Sequence, residues 1–256
     1  MTTTESTPQT GPLAGRVALI TGASGGIGGA IARRLAADGA DLFLAHGRHV
    51  DDAAQVADHA RSLGRRVALA PGDLADPAVP AALVDQATEQ LGSVDIVIAN
   101  AGVGAQTPWD QVDLDQWNTT LAVNLTAPFL LAQRALPTMI DRGFGRVLFI
   151  SSIAALNGGV VGPHYAASKA GLHGLTHFLA PRVAGSGVTV NALAPALIGN
   201  TRILPTDPEG KGKLPMPIPV GRLGEPDEVA DMAITMLRNS YLTNKVITLD
   251  GGLLPR

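Results

Sequence analysis

Cysteine is absent from the 256-residue chain. Disulfides, thiolate nucleophiles and cysteine-ligated metals are therefore excluded together, and no metal site is expected. Aromatic residues make up 4% and charged residues 16%, with a net charge of −3. A general nucleic-acid binder would instead carry a basic surface or a high isoelectric point. No apolar run of about 18 residues occurs, so no membrane-spanning helix is expected. Residues 1–12 are polar and threonine-rich, with neither a basic start nor an apolar stretch. They read as a flexible tail rather than a secretory signal, which points to a cytoplasmic protein.

What remains is aliphatic. Hydrophobic residues reach 46%, and glycine numbers 30. That mix suits helices packed closely on a buried parallel sheet. A chain of this length buries about 70–75% of its unfolded surface, enough to sustain a core unaided. Short apolar runs recur at 17–20, 42–45, 67–70, 94–99, 146–150, 188–193 and 245–249, each of strand length. Between them, segments 26–38, 50–63, 77–91, 110–122, 124–141 and 163–183 read as helices. Ile27, Ile31 and Leu35 share one face of the first, Gly39 and Gly64 stop the first two, and Pro77 suits the first turn of the third. Strands alternating with helices predict an α/β fold, a doubly wound seven-stranded parallel sheet with helices on both faces. No repeat or compositional break divides residues 13–256, which read as one domain. Segment 195–221 carries six prolines, at 195, 205, 208, 215, 217 and 219, and reads as a substrate lid.

Chemistry enters at Thr21-Gly22-Ala23-Ser24-Gly25-Gly26-Ile27-Gly28, between the first strand and the first helix. Glycines let the backbone turn sharply and approach a phosphate with no Cβ in the way. The helix amino terminus then offers free N–H groups and partial positive charge to a pyrophosphate. An ordinary tight turn would also use glycine, but the strand–turn–helix context favours nucleotide binding.

The spacing Gly-x-x-x-Gly-x-Gly resembles that of the short-chain dehydrogenase/reductase family, and further motifs extend the resemblance from about residue 14 to 252. Asn100-Ala101-Gly102 follows the fourth strand, and Asn124 opens a long helix. Ser152 ends the fifth strand, thirteen residues before Tyr165-Ala166-Ala167-Ser168-Lys169. Arg222-Leu223-Gly224-Glu225-Pro226 precedes the last helix, and Asp250-Gly251-Gly252 closes the last strand. The resemblance implies a single Rossmann-type domain over residues 13–256, with strand order 3-2-1-4-5-6-7, and an NAD(P)-dependent enzyme acting on CH–OH groups.

The resemblance further implies that Asn124, Ser152, Tyr165 and Lys169 are the catalytic set. Tyr165 and Lys169, four apart, share a helix face. Such pairs are common on helix surfaces, but the glycine turn, Ser152 and Asn124 favour catalysis. A neighbouring ammonium and a nicotinamide cation are expected to lower the Tyr165 pKa from its ordinary value near 10, fitting it as general acid or base. Ser152 would hold the substrate oxygen; spacing and strand alternation favour it over Ser151. Asn124 would help shape the site of a proton-relaying water. His164 is expected to pack at the helix start.

Cofactor contacts are expected from Gly22, Ser24, Gly25, Gly26, Ile27 and Gly28, from Asp73 and Leu74 after the third strand, and from Asn100, Ala101 and Gly102. Tyr165, Lys169, Pro195 and Ile198 complete the set. Gly47 stands where NAD-dependent relatives often carry aspartate, and Arg48 follows, suited to a ribose 2′-phosphate. NADP(H) is therefore favoured and NAD(H) remains open, since Gly25 stands where many NADP-dependent relatives are basic. The family's Pro-Gly after strand six is Pro195-Ala196, and Asn244 replaces a usual glycine.

The lid residues Leu197, Ile198, Ile203, Leu204, Leu214, Met216 and Ile218 suggest a small-to-medium apolar ketone, aldehyde or alcohol, with Ser152, Asn157 and Tyr165 at the substrate. A 3-oxoacyl-carrier-protein reductase is the alternative, though Pro137 and Pro181 stand at the family's basic docking positions. A non-catalytic NAD(P) sensor is a further alternative, disfavoured by the complete reacting set. Dehydration or epimerisation on the same tyrosine would call for a longer chain. The resemblance also implies a homotetramer built on helices 110–141 and 163–183.

Overall fold

The computed structural model describes residues 11–201 and 217–255. Residues 1–10 of the expected tail and 202–216 of the expected lid lie outside the described residues, with Ile203, Leu204, Leu214 and Met216 among them. Seven parallel strands form one sheet in the order β3-β2-β1-β4-β5-β6-β7. They are β1 (Val17–Thr21), β2 (Asp41–His46), β3 (Val67–Pro71), β4 (Ile96–Ala99), β5 (Gly145–Ile150), β6 (Val188–Pro195) and β7 (Val246–Leu249). The helices are α1 (Gly26–Ala37), α2 (Val50–Ser62), α3 (Val79–Leu91), α4 (Leu114–Leu121), α5 (Ala127–Asp141), α6 (Ala154–Asn157), α7 (Pro163–Val183) and α8 (Pro226–Arg238). The expected fold class and strand order are those observed.

Both faces of the sheet are covered, which is why the strands read as continuous apolar runs. Ala18, Ile20, Leu42, Leu44, Ile96 and Ile98 point to one face, where Ile31, Leu35, Ala57, Val229 and Ala233 from α1, α2 and α8 meet them. Val17, Leu19, Phe43, Val97 and Phe149 point to the other, against Leu83, Leu131, Ala135 and Leu172 from α3, α5 and α7. Alanine at so many helix contacts lets the helices lie close to the sheet, so two phenylalanines, Phe43 and Phe149, are the largest fully buried side chains.

Three helix starts move from expectation, those of α3, α4 and α5. Asp76 accepts from the N–H of Ala78 through its side chain and from that of Val79 through its carbonyl, so α3 begins at Val79 and Pro80, not Pro77, occupies its first turn. Likewise the Asp113 carboxylate accepts from Gln116 N at 2.7 Å, which starts α4 at Leu114 rather than 110. Between α4 and α5 the chain takes a π-helical turn over Ala122–Thr126. Pro128 has no N–H to donate and its ring crowds the carbonyl one turn back, a conflict that a wider turn relieves. Asn124 therefore lies inside this turn rather than opening a helix.

Away from the site, Asp95 ties together the amino-terminal ends of β1 and β4. Its carboxylate is buried and accepts from Val17 N at 3.0 Å, Ser93 Oγ at 2.9 Å and Arg16 Nη1 at 3.3 Å. Asp95→Ala leaves the buried Val17 N–H unpaired and is expected to lower unfolding free energy by about 1.5–3 kcal/mol in urea denaturation.

Candidate active site

The strand order reverses between β1 and β4, and a crevice opens beyond the carboxyl ends of these strands, as this topology requires. The crevice is a cavity of about 970 Å³. Thr21 closes its floor. The Asn100 side-chain amide donates to the carbonyls of Thr21 at 3.0 Å and Gly22 at 3.2 Å. The backbone N–H groups of Asn100 and Ala101 each donate to Thr21 Oγ1 at 3.1 Å. Asn100 lines the cavity, but its amide is committed to the glycine turn.

That turn needs glycine for two separate reasons. A Cβ on Gly28 would stand 2.3 Å from the Gly22 carbonyl oxygen, so α1 packs against the end of β1 only without one. Gly25 has φ +118°, and a Cβ there would meet nothing within 4 Å, because the residue borders the open cavity. No side chain caps α1 and no acidic residue occupies its first turn, which leaves its amino end positive. Gly22, Ser24, Gly25, Gly26 and Ile27 line the cavity, while Gly28 lies beneath it.

The opposite wall gathers the expected reacting residues. Ser152, Tyr165 and Lys169 all line the cavity, with Ala101 and Gly102 beside them. Ser152 follows β5; its Oγ accepts from Ala154 N at 3.1 Å and hydrogen-bonds Tyr165. Ser151, buried, turns the other way: its hydroxyl donates to the Lys169 carbonyl at 3.0 Å and lies 2.8 Å from His173 Nε2. Lys169 is 3% exposed, and its Nζ donates to the Ile150 carbonyl at 2.8 Å. Burial pushes its pKa down to about 8. For Tyr165 the expected direction is reversed. Burial raises its pKa, opposed by the hydrogen bond from Ser152, while the Lys169 ammonium is held at Ile150, 5.7 Å from the ring centroid. His164 is fully buried against Gly162 at the helix start.

Asn124 stands behind this wall. Its side chain accepts from Val103 N and donates to the Val103 carbonyl, both at 2.8 Å, and donates to Ser168 Oγ at 3.1 Å. A Cβ on Gly102 would stand 3.4 Å from both Asn124 Oδ1 and Lys169 Nζ, so Gly102 separates the two.

Besides Gly28, three expected cofactor contacts lie apart from the cavity lining. Arg48 is exposed at the β2–α2 turn, Asp73 is exposed with its carboxylate accepting from Ala75 N, and Leu74 packs against the core beneath α3. Other lining residues carried no sequence signal: Arg33 of α1, Asp52, Gln55 and Val56 of α2, and Gly104 and Gln106. They come from helix faces and loops with no motif, and only the packing of α1 against α2 brings the first four together.

Beyond β6, Pro195, Leu197, Ile198, Asn200 and Thr201 form a further wall, with Asn157 of α6 across from them. Leu197 and Asn200 adopt φ +47° and +54°, unusual for residues with side chains, and Ile198 pairs with Gly224. The chain thus leaves β6 along a path fastened to the start of α8. Asn244 takes φ +62°, in keeping with its standing in for glycine.

A family model described as short chain dehydrogenase matches residues 16–211. Nodulation protein G of Azospirillum brasilense is 35% identical over 93% of this chain and 98% of its own. Acetoacetyl-CoA reductase of Cupriavidus necator is 32% identical over 93% and 98%. A solved structure, blue fluorescent protein from a metagenomic library in complex with NADPH, matches with a TM-score of 0.88 at 37% identity, over 95% of this chain and 100% of that one.

The buried ammonium makes stability depend on pH. Lys169 has a folded pKa of about 8, below its ordinary 10.5, so its cost to the folded chain is full below pH 8 and fades as pH rises towards 10.5. Lys169→Met is expected to be more stable relative to the parent at pH 8 than at pH 10 in urea titrations. A gap that stays constant across that window would contradict this account.

Proposed function

The chain belongs to the short-chain dehydrogenase family, and we propose that it is an NADP(H)-dependent oxidoreductase. In this reading it interconverts a ketone or aldehyde and the corresponding alcohol on a small-to-medium apolar substrate. The observation that carries the proposal is the meeting of Ser152, Tyr165 and buried Lys169 on one wall of a cavity whose other end is the glycine turn.

The cavity suits a dinucleotide. Its amino-terminal helix end is uncapped, its turn presents backbone without a side chain at Gly25, and about 970 Å³ leaves room beside the cofactor for a substrate. Gly22, Ser24, Gly25, Gly26 and Ile27 would hold the pyrophosphate. Ala101, Gly102 and Lys169 would hold the nicotinamide ribose, and Pro195 and Ile198 the nicotinamide. NADPH in a solved relative at 37% identity supports NADP(H) over NAD(H). The cofactor supplies or accepts the hydride.

The protein's own part is proton transfer and positioning. Burial keeps Tyr165 a neutral phenol at neutral pH, the form that donates. In the reducing direction Tyr165 Oη gives its proton to the carbonyl oxygen as the alcohol forms, while Ser152 Oγ hydrogen-bonds that oxygen. With a pKa of about 8, Lys169 is largely cationic at pH 7 and stabilises the phenolate left behind. Asn124, through Val103 and Ser168, holds the chain after β4 against α7 and so keeps Gly102 beside Lys169.

At the substrate end, Val160, Val161, Leu197 and Ile153 are apolar and Asn157 and Gln106 polar, which supports a mostly apolar carbonyl compound. A 3-oxoacyl thioester is the second reading, supported by the acetoacetyl-CoA reductase relative. We also infer a homotetramer through α4, α5 and α7. Phe178 on α7 is 55% exposed, and Phe129 and Leu130 on α5 are only half-buried, whereas Ala127 and Leu136 belong to the core. Light scattering is expected to give four times the chain mass; a monomer would contradict this inference.

The function is tested by following NADPH absorbance with a panel of cyclic, aryl and aliphatic ketones, aldehydes and acetoacetyl-CoA. Turnover with free ketones is expected to exceed that with the thioester. Tyr165→Phe is expected to lower kcat by about 10²–10⁴-fold with cofactor affinity retained. Tight NADPH binding without turnover of any panel member would refute the catalytic reading.

A further inference from the structure

We propose that Arg33, midway along α1, is the side chain that distinguishes a cofactor 2′-phosphate from a free 2′-hydroxyl. The proposal rests on the NADP(H) reading above and assigns its specificity to a residue outside the glycine turn and outside the β2–α2 turn.

Neither position 25 nor position 48 places a cation in the cavity wall. Position 25 is glycine, bordering open space, and Arg48, exposed as Arg33 also is, does not line the cavity. Arg33 does line it, at the end where α1 faces α2. Helical side chains lean towards the amino terminus, so Arg33 lies over the turn that precedes it. One turn back is Gly29, and Arg33 Nη1 lies 3.8 Å from where a Cβ on Gly29 would stand. The guanidinium therefore lies back along α1 beside Gly29, on the side of the helix that faces Val56 of α2.

The charge at this end is also available. The adjacent Arg34 is paired with Asp231 at 2.5 Å, on the far side of the helix. Among the described residues no carboxylate lies within ion-pair distance of Arg33. The acidic side chain on the facing helix, Asp52, has His49 Nδ1 at 3.9 Å, and its neighbour in the cavity wall, Gln55, is neutral. An arginine without a carboxylate partner, beside a neutral amide donor, matches a phosphate monoester, which accepts two parallel N–H bonds from one guanidinium. A free hydroxyl offers no charge to it.

The test is isothermal titration calorimetry of the full chain with NADPH and with NADH, for the parent, Arg33→Ala, Arg33→Lys, Arg34→Ala and Arg48→Ala. Arg33→Ala is expected to weaken NADPH binding by about 10- to 100-fold and to change NADH binding by no more than about twofold. Arg33→Lys should recover part of the loss, since it restores the charge but not the fork. Arg34→Ala should leave the NADPH-to-NADH preference of the parent unchanged. A parent that prefers NADPH, with Arg33→Ala keeping the same preference, overturns the assignment and leaves the cofactor reading standing. Loss of the preference in Arg48→Ala instead of Arg33→Ala overturns it equally. A parent that binds both cofactors alike overturns the cofactor reading, and this assignment with it.

Discussion

The four hydrogen bonds joining Thr21 and Gly22 to Asn100 and Ala101 hold the carboxyl ends of β1 and β4 together, and the cavity exists because the chain diverges from that join. One segment leaves as the glycine turn into α1 and the other as Asn100-Ala101-Gly102 towards α4, on opposite faces of the sheet. The join also dictates residues around it. A Cβ on Gly28 would come within 2.5 Å of Asn100 Nδ2, so the amide that closes the turn and the glycine that admits the helix are parts of one fit. A nucleotide phosphate placed there meets backbone N–H groups that need no movement to receive it.

A second constraint acts on the opposite wall. Lys169 is surrounded by core and takes its hydrogen bond from the end of β5 through Ile150, while Ser151 binds the backbone of α7 at Lys169 itself. Strand and helix are thus joined at the residue that carries the charge. Strand alternation then turns Ser152 the other way, towards Tyr165. Asn124 closes the arrangement from behind, and the π turn is what allows its side chain to span Val103 and Ser168 together. The result is a neutral phenol and a buried cation whose relative placement depends on three separate elements.

The fold was largely legible in the sequence because its signal is local and periodic. Apolar runs of strand length alternated with helical spacing, and α7 begins and ends at the residues its pattern marked. The errors fell where a side chain, not periodicity, sets a boundary: Asp76 before α3, Asp113 before α4 and Pro128 after the π turn. In the site, Ser152, Tyr165, Lys169 and the glycine turn were legible because their spacing is fixed by the elements that bear them. Arg48 stands on an exposed turn and does not line the cavity, whereas Arg33 lines it and carried no motif at all.

The sequence alone therefore determined the class of fold and the residue types available for hydride chemistry in a chain with no thiol. Those follow from periodicity and spacing, which are properties of neighbouring residues; the strand order followed from the family resemblance of its motifs. Tertiary structure decided which charges face the cavity and in what state. Arg33 enters it through the packing of α1 against α2, and the directions of the Tyr165 and Lys169 pKa shifts come from burial. Desolvation depends on everything that surrounds a group, and no local pattern in the chain records it.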